Sequence, residues 1–288
     1  MDLLTNTPIK RYKKAVKQLN NLKRFQSRVK RKIEKNEKAS LIIHIVVAFL
    51  IILCLVRQTI HKNYFDVLLC AFSLILISIP SRLERRTKLE LPQTLEIIVI
   101  CFVFAAEILG EIENFYFHIP IWDSLLHITT GCLAAAVGFS LIDLINTHVK
   151  RISMTPIFVV VVAFCFSMTI GVLWEFFEYG ADEIVRTDMQ KDVIVSEIST
   201  VKLDKENANN PNIVKDINKT ILYDKDGNAV ASFDGYLDIG LKDTMKDLFV
   251  NMLGAVIFSI YGYLYLKKRD KYKFVEHIII NKQNPDAT

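Results

Sequence analysis

Pro156–Tyr179, PIFVVVVAFCFSMTIGVLWEFFEY, decides how the chain is read. From Pro156 to Trp174 it carries no Asp, Glu, Lys or Arg. A helix rises 1.5 Å per residue, so about 20 apolar residues cross the roughly 30 Å hydrocarbon core of a bilayer. Within that core only a helix satisfies its own backbone N–H and C=O groups in one segment, so this run is expected to span a membrane. Its far end places Trp174 beside Glu175 and Glu178, an aromatic of the kind that sits at membrane interfaces together with two acids.

Outward from this run the same test finds five more: Ala39–Ile60, Tyr64–Pro80, Leu91–Ile112, Trp122–Asn146 and Asp247–Leu266. The second is short, and the third contains Glu96 and Glu107. With 51% hydrophobic residues, a mean hydropathy of +0.28 and a net charge of +5, the 288-residue chain is too apolar for an ordinary soluble protein and too charged to be buried throughout. All five cysteines lie in apolar runs, so no disulfide framework is expected. The first apolar run begins behind a basic segment too long for a secretory leader, and is expected to stay as an anchor.

Orientation follows from the basic residues that flank the runs, because cytoplasmic loops carry the excess of Lys and Arg. Residues 1–38 hold thirteen Lys/Arg against three acids, Arg82, Arg85, Arg86 and Lys88 follow the second run, and a Lys/Arg group from Lys267 to Lys273 follows the sixth. The turn from Glu111 to Ile121 has no Lys or Arg, and residues 180–246 have nine against thirteen Asp/Glu. Both termini are therefore expected in the cytoplasm of a multi-pass cell-membrane protein. The fold class is all-α transmembrane: a six-helix bundle over 39–179 and 247–266, an extracellular insertion over 180–246 and a basic cytoplasmic tail over 267–288.

Two aqueous segments carry patterns of their own. From Lys10 to Lys38, Tyr12, Val16, Leu19, Leu22, Val29 and Ile33 recur at near-helical spacing among many Lys and Arg. That is a basic amphipathic helix, expected on anionic inner-leaflet lipid rather than on nucleic acid. In the insertion, Val193–Leu203 and Thr220–Phe233 alternate as strands do, separated by the polar stretch Asp204–Asn218. Asp226-Gly227 between strand-like runs signals a hairpin turn, and a calcium loop there would lack its later acidic ligands.

Ionisable groups inside a span are costly, so their grouping is informative. Asp123 and His127 are four apart at the start of the fourth run, and Glu175, Glu178 and Asp182 lie three and seven apart at the end of the fifth. Asp243, Asp247 and Asn251 are spaced by four at the start of the sixth, and Glu107 and Glu111 by four at the end of the third. Such spacings put each set on one helix face. The Asp123 face continues into Gly131, Ala134 or Ala135, and Gly138, small residues that admit a neighbouring helix. Helix capping is the alternative for Asp123 and Asp243. It does not extend to Glu107, Glu175 and Glu178, expected at helix C-termini where the helix dipole disfavours anions. Asp123, His127, Glu175, Glu178, Asp243 and Asp247 are thus candidate ligands of a divalent cation (Mg²⁺, Mn²⁺, Ca²⁺ or Zn²⁺), with His127 and Glu178 as candidate acid–base groups.

Trp122-Asp123-Ser124-Leu125-Leu126-His127, Gly131, Glu175, Glu178, Asp243-Thr244-Met245-Lys246-Asp247 and Gly254 together resemble the YjdF-like bacterial membrane proteins and, more loosely, the VanZ-like proteins. The resemblance implies a polytopic membrane fold and importance for these positions, and supplies no reaction. An enzyme acting on a lipid-linked or cell-envelope substrate and a noncatalytic sensor or assembly protein both stay open. A small-ion transporter is disfavoured, because the middles of the last three runs offer Ser140, Ser167, Thr169 and Ser259 and no ionisable relay. Reporter fusions at the N-terminus and after Lys268 are expected to read as cytoplasmic, with a tag at Asn209 accessible from outside. A cytoplasmic signal at Asn209 would invert the orientation.

Overall fold

A computed structural model describes residues 38–87, 89–148 and 154–282, so the amphipathic reading of residues 10–37 and the last part of the tail lie outside the described residues. In chain order the elements are α1 (Lys38–Ile60), α2 (Tyr64–Ile77), α3 (Ile79–Arg86), β1 (Leu89–Glu90), α4 (Gln93–Val103) running on into a π-helical segment (Phe104–Ile112), α5 (Phe115–His118), α6 (Trp122–His148) and α7 (Pro156–Val185). The strands β2 (Val193–Val195), β3 (Ile198–Thr200), β4 (Asn212–Val214), β5 (Thr220–Tyr223), β6 (Ala229–Phe233) and β7 (Tyr236–Asp238) follow. Next come α8 (Leu241–Lys267), a 3₁₀ turn (Lys273–His277) and β8 (Asn281–Lys282). The described residues fall into two compact units, those within 38–115 with 276–282, and those within 116–275.

Five helices among the described residues are long and apolar enough to cross a membrane: Lys38–Ile60, Tyr64–Glu84, Trp122–Asn146, Pro156–Val185 and Leu241–Lys267. The third apolar run is the exception. It is helical from Gln93 but changes at Phe104 to the wider π winding, in the stretch that holds Glu107 and Glu111. In the first unit Val47, Ile51, Cys54, Cys70, Ile77, Ile100, Val103, Ile108 and Ile112 form the apolar core. Glu96 is not left bare beside it, because its carboxylate accepts from the hydroxyls of Ser40 (2.6 Å) and Ser81 (3.0 Å).

The second unit is built on α6, α7 and α8. Between apolar helices in lipid there is no hydrophobic drive, so close backbone packing has to hold them. Gly131 lies directly against the Asn251 carbonyl and Gly254 against the Ile128 carbonyl, where a Cβ on either would overlap backbone that has no room to move. Three polar contacts reinforce the crossing. Ser167 Oγ donates to Gly131 O at 2.9 Å, Cys132 Sγ to Gly254 O at 3.2 Å, and the Asn251 side chain packs over Gly171. Further along, buried Phe139 meets Phe258 edge-on at 5.8 Å between ring centroids. The outward faces carry exposed Leu125, Leu141, Phe158, Val161, Phe177, Phe249 and Ile257, as lipid-facing surfaces should.

Both helices that flank the insertion outrun their apolar runs. α7 continues past Tyr179 to Val185, and α8 begins at Leu241 rather than Asp247. Hydropathy marks where a helix leaves apolar surroundings, whereas its end is set by hydrogen bonding, and here Asp182 supplies it. Its carboxylate accepts from the Thr187 hydroxyl and from the N–H groups of Met189 and Gln190, just past the left-handed Arg186 (φ 65°). Glu175 and Glu178 are consequently interior to a helix and not at its C-terminus. Asp123 and Asp243 are likewise inside their helices, at the second position of α6 and the third of α8, so neither is an N-cap.

The insertion is three antiparallel pairs, an outer one enclosing two consecutive hairpins. β2 pairs with β7, β3 with β4, and β5 with β6. β4 falls within Asp204–Asn218, where Ile213-Val214 is too short an apolar stretch to announce a strand. The β5–β6 turn holds Gly227 at φ 84°, and the Asp224 carboxylate accepts from the N–H groups of Asp226 (2.9 Å) and Asn228 (2.8 Å). Those donors, Asn228 first, hold the Asp224 carboxyl below the usual carboxylate range and engage it as a turn organiser. Gly131→Ala and Gly254→Ala are expected to destabilise the protein by about 1–3 kcal/mol each through overpacking. Gly180→Ala, with nothing within 4 Å of the added Cβ, should be neutral or mildly stabilising, and melting in mild detergent compares the three.

Candidate functional site

α6, α7 and α8 each present one polar stripe to the interior of the second unit. On α6 it is Asp123 and His127, one turn apart and one turn before Gly131. On α7 it is Ser167, Gly171, Glu175 and Glu178, and on α8 Asp243, Asp247 and Asn251, all buried. Because the glycine crossing brings α6 and α8 together one turn further along, the acids ahead of it converge.

His127 is the hub. Its Nε2 lies 3.4 Å from Asp123 Oδ1 and 3.7 Å from Asp247 Oδ2, and its Nδ1 lies 4.0 Å from Glu175 Oε1. One ligand atom from each of Asp123, His127 and Asp247 falls within 4.8 Å of the others, a spacing that fits a metal ion. Lys246 closes the outer side, with Nζ 2.8 Å from Asp123 Oδ2, 3.2 Å from Asp243 Oδ1 and 3.4 Å from Asp247 Oδ1. The imidazole and the ammonium therefore face different oxygens of Asp123 and of Asp247.

Burial makes this group unusual. The Asp247 and Glu175 side chains are 2% and 6% exposed, and among the described residues Asp247 Oδ1, Glu175 Oε2 and Asn251 Oδ1 accept no hydrogen bond. A buried acceptor left without a donor costs about 1–3 kcal/mol, and more when it is charged. Five carboxylates, of Asp123, Glu175, Glu178, Asp243 and Asp247, gather around one lysine and one histidine, so the site calls for protons or a further cation.

The other acids take different places. Glu178 Oε1 accepts from the Trp174 indole N–H at 2.8 Å, and Asp243 Oδ2 accepts from the Lys191 N–H at 2.9 Å. Asp182 is engaged at the end of α7, as described above. Glu107 and Glu111 belong to the first unit.

Residues 41–268 match the family described as "Predicted membrane protein (DUF2238)". The chain belongs to that family. The match runs from the start of α1 to just past α8, so it takes in every helix that bears the cluster and the strand insertion as well. A protein of Thermotoga maritima, described as an uncharacterized protein, is 29% identical over 154 residues, 53% of this chain and 75% of its own length. No solved structure matches. Family membership agrees with the apolar helices and places the chain in a membrane.

Two features of the unit were not singled out by spacing. Lys246, part of the Asp243–Asp247 stretch but not among the candidate site residues, reaches three acids, being three residues after Asp243 and adjacent to Asp247. At the other end of α6, buried Asp143 accepts from Arg269 Nη2 (3.0 and 3.4 Å), and the Arg269 guanidinium lies 5.1 Å over the Tyr265 ring. Asp182→Ala is expected to lower stability by about 1–3 kcal/mol, because it strips the acceptor from two backbone N–H groups. Any stabilisation by divalent ions should survive it, and detergent melting with and without MnCl₂ checks both points.

Proposed function

We propose that the second unit binds a divalent cation at the outer face of the membrane and uses it on a lipid-linked or cell-envelope substrate. The observation that carries this is the Asp123–His127–Asp247 group, with buried oxygens of Asp247 and Glu175 that accept no hydrogen bond. Asp123, Asp247 and His127 Nε2 are the primary ligands, and Glu175, facing Nδ1, fixes the imidazole tautomer as carboxylates commonly do behind metal-bound histidines. One imidazole among carboxylates suits Mn²⁺ or Zn²⁺ better than Ca²⁺, which prefers oxygen alone. Such an ion polarises a phosphoryl or ester oxygen or activates water. Glu178, one turn from Glu175 and oriented by the Trp174 indole, is then the acid–base group, with His127 the alternative; Asp243 completes the outer shell.

This reading carries the topology with it: six crossings, the third apolar run Leu91–Ile112 joining the five long helices, both termini in the cytoplasm, the strand insertion outside, and the basic N-terminal segment on anionic lipid. The narrower likeness to the YjdF-like proteins, on the Trp122–His127 stretch and the Asp243-Thr244-x-x-Asp247 element, belongs to the same proposal. A noncatalytic sensor is the second reading, favoured by Lys246, which already offsets part of the acid charge.

In mild detergent, MnCl₂ or ZnCl₂ is expected to stabilise the wild-type protein, by about 2.7 kcal/mol at one hundred times Kd. Asp247→Asn should remove most of that gain, while its ion-free form is as stable as wild type or more so, because one crowded carboxylate is relieved. If Mg²⁺, Mn²⁺, Ca²⁺ and Zn²⁺ all leave melting unchanged and Asp247→Asn simply destabilises, the metal reading fails and the noncatalytic one replaces it.

A further inference from the structure

Among the ion pairs of the described residues, Lys246 is the one Lys or Arg whose side chain reaches the acids of the site. It lies on oxygens of the same two carboxylates, Asp123 and Asp247, that face His127. We propose that Lys246 is the selectivity residue of the site, an internal monovalent cation that any entering ion must outcompete. This rests on the metal reading of Asp123, His127 and Asp247.

An ammonium carries one positive charge, so Na⁺ or K⁺ entering the same carboxylates would exchange one unit charge for another and gain little. A divalent ion brings twice the charge and recruits His127 Nε2, which an ammonium cannot use as a ligand. The two carboxylates then attract the ion more strongly than they attract Lys246, and the ion repels the ammonium. Lys246 has somewhere to go. Its side chain is 44% exposed, against 2% for Asp247 and 8% for Asp243, and its flexible stem lets the head group swing to the rim without moving α8. The lysine thus keeps the ion-free site from collapsing under acid–acid repulsion and raises the threshold that an ion must pass.

The test uses the full-length protein in mild detergent with MnCl₂ as probe, and NaCl against choline chloride at equal ionic strength. In Lys246→Met the Kd for Mn²⁺ should fall about tenfold or more, and NaCl should now stabilise where it does not in wild type. Without Mn²⁺ the variant should melt lower than wild type and recover when Mn²⁺ is added. A purely structural lysine would give the first change without the second. Wild type provides a measurement that needs no variant: acylation of Lys246 by an amine-reactive reagent, followed by mass spectrometry, should speed up several-fold on saturation with Mn²⁺. If Mn²⁺ binds wild type but Kd is unchanged or weaker in Lys246→Met and acylation is unaffected, the selectivity role is wrong and the metal site stands. If Mn²⁺ binds neither protein, both fall.

Discussion

The second unit depends on one backbone contact made twice, Gly131 against the Asn251 carbonyl and Gly254 against the Ile128 carbonyl. It sets α6 and α8 side by side, from Asp123 and Lys246 at one end to Phe139 and Tyr265 further along. Asp123 meets Lys246 and Cys132 meets Gly254, at separations of 123 and 122 residues, and just beyond the end of α8 Arg269 meets Asp143. A helix turns about 100° per residue, so a slip of one position would carry Asp247 away from His127. The glycines therefore act on the site without touching it. They let the backbones close, and closure brings the polar stripes on either side into range.

That closure has an electrostatic cost, which explains the arrangement of charge. Acids drawn together in a poorly hydrated interior repel one another and lose their water, and pairing offsets this only where geometry is good. At the Asp143 end a single guanidinium does so with two contacts and an aromatic face beneath it. At the Asp123 end one ammonium is shared among three acids, and oxygens of Asp247 and Glu175 remain without a hydrogen bond. The two ends of the same helix pair thus differ in kind. One is balanced, and the other is left short of positive charge.

Much of this was legible in the sequence. Long uncharged runs announced the spans, and spacings of three and four put Asp123 with His127, Glu175 with Glu178 and Asp243 with Asp247 before any helix was placed. Spacing fixes which residues share a face but not where that face points: Glu107 and Glu111 share a face by the same spacing of four, yet they belong to the other unit. Asp143 escaped notice for a related reason. Near the end of an apolar run it reads as an ordinary boundary residue, and its partner Arg269 is one of several basic residues after α8, any of which the positive-inside pattern would explain. Helix ends were misjudged where polarity and hydrogen bonding part company, as at Tyr179, beyond which Asp182 sustains the helix exit.

The helix ends matter because they join the insertion to the site. β2 and β7 pair, so the chain that leaves α7 returns to α8 beside its point of departure. On the way out, the Lys191 N–H donates to Asp243 and the Gln190 side chain to the Thr244 hydroxyl. Asp243 is thus held at once by the insertion's backbone and by Lys246, the residue that also holds Asp123 and Asp247. The segment leading into β2 and the acids of the site therefore share Asp243 as a common contact. Such a linkage serves an enzyme that must admit a substrate and a sensor that must report an ion equally well. What separates the two is chemistry at Glu178, which has an oriented carboxylate but no link to the insertion among its hydrogen bonds.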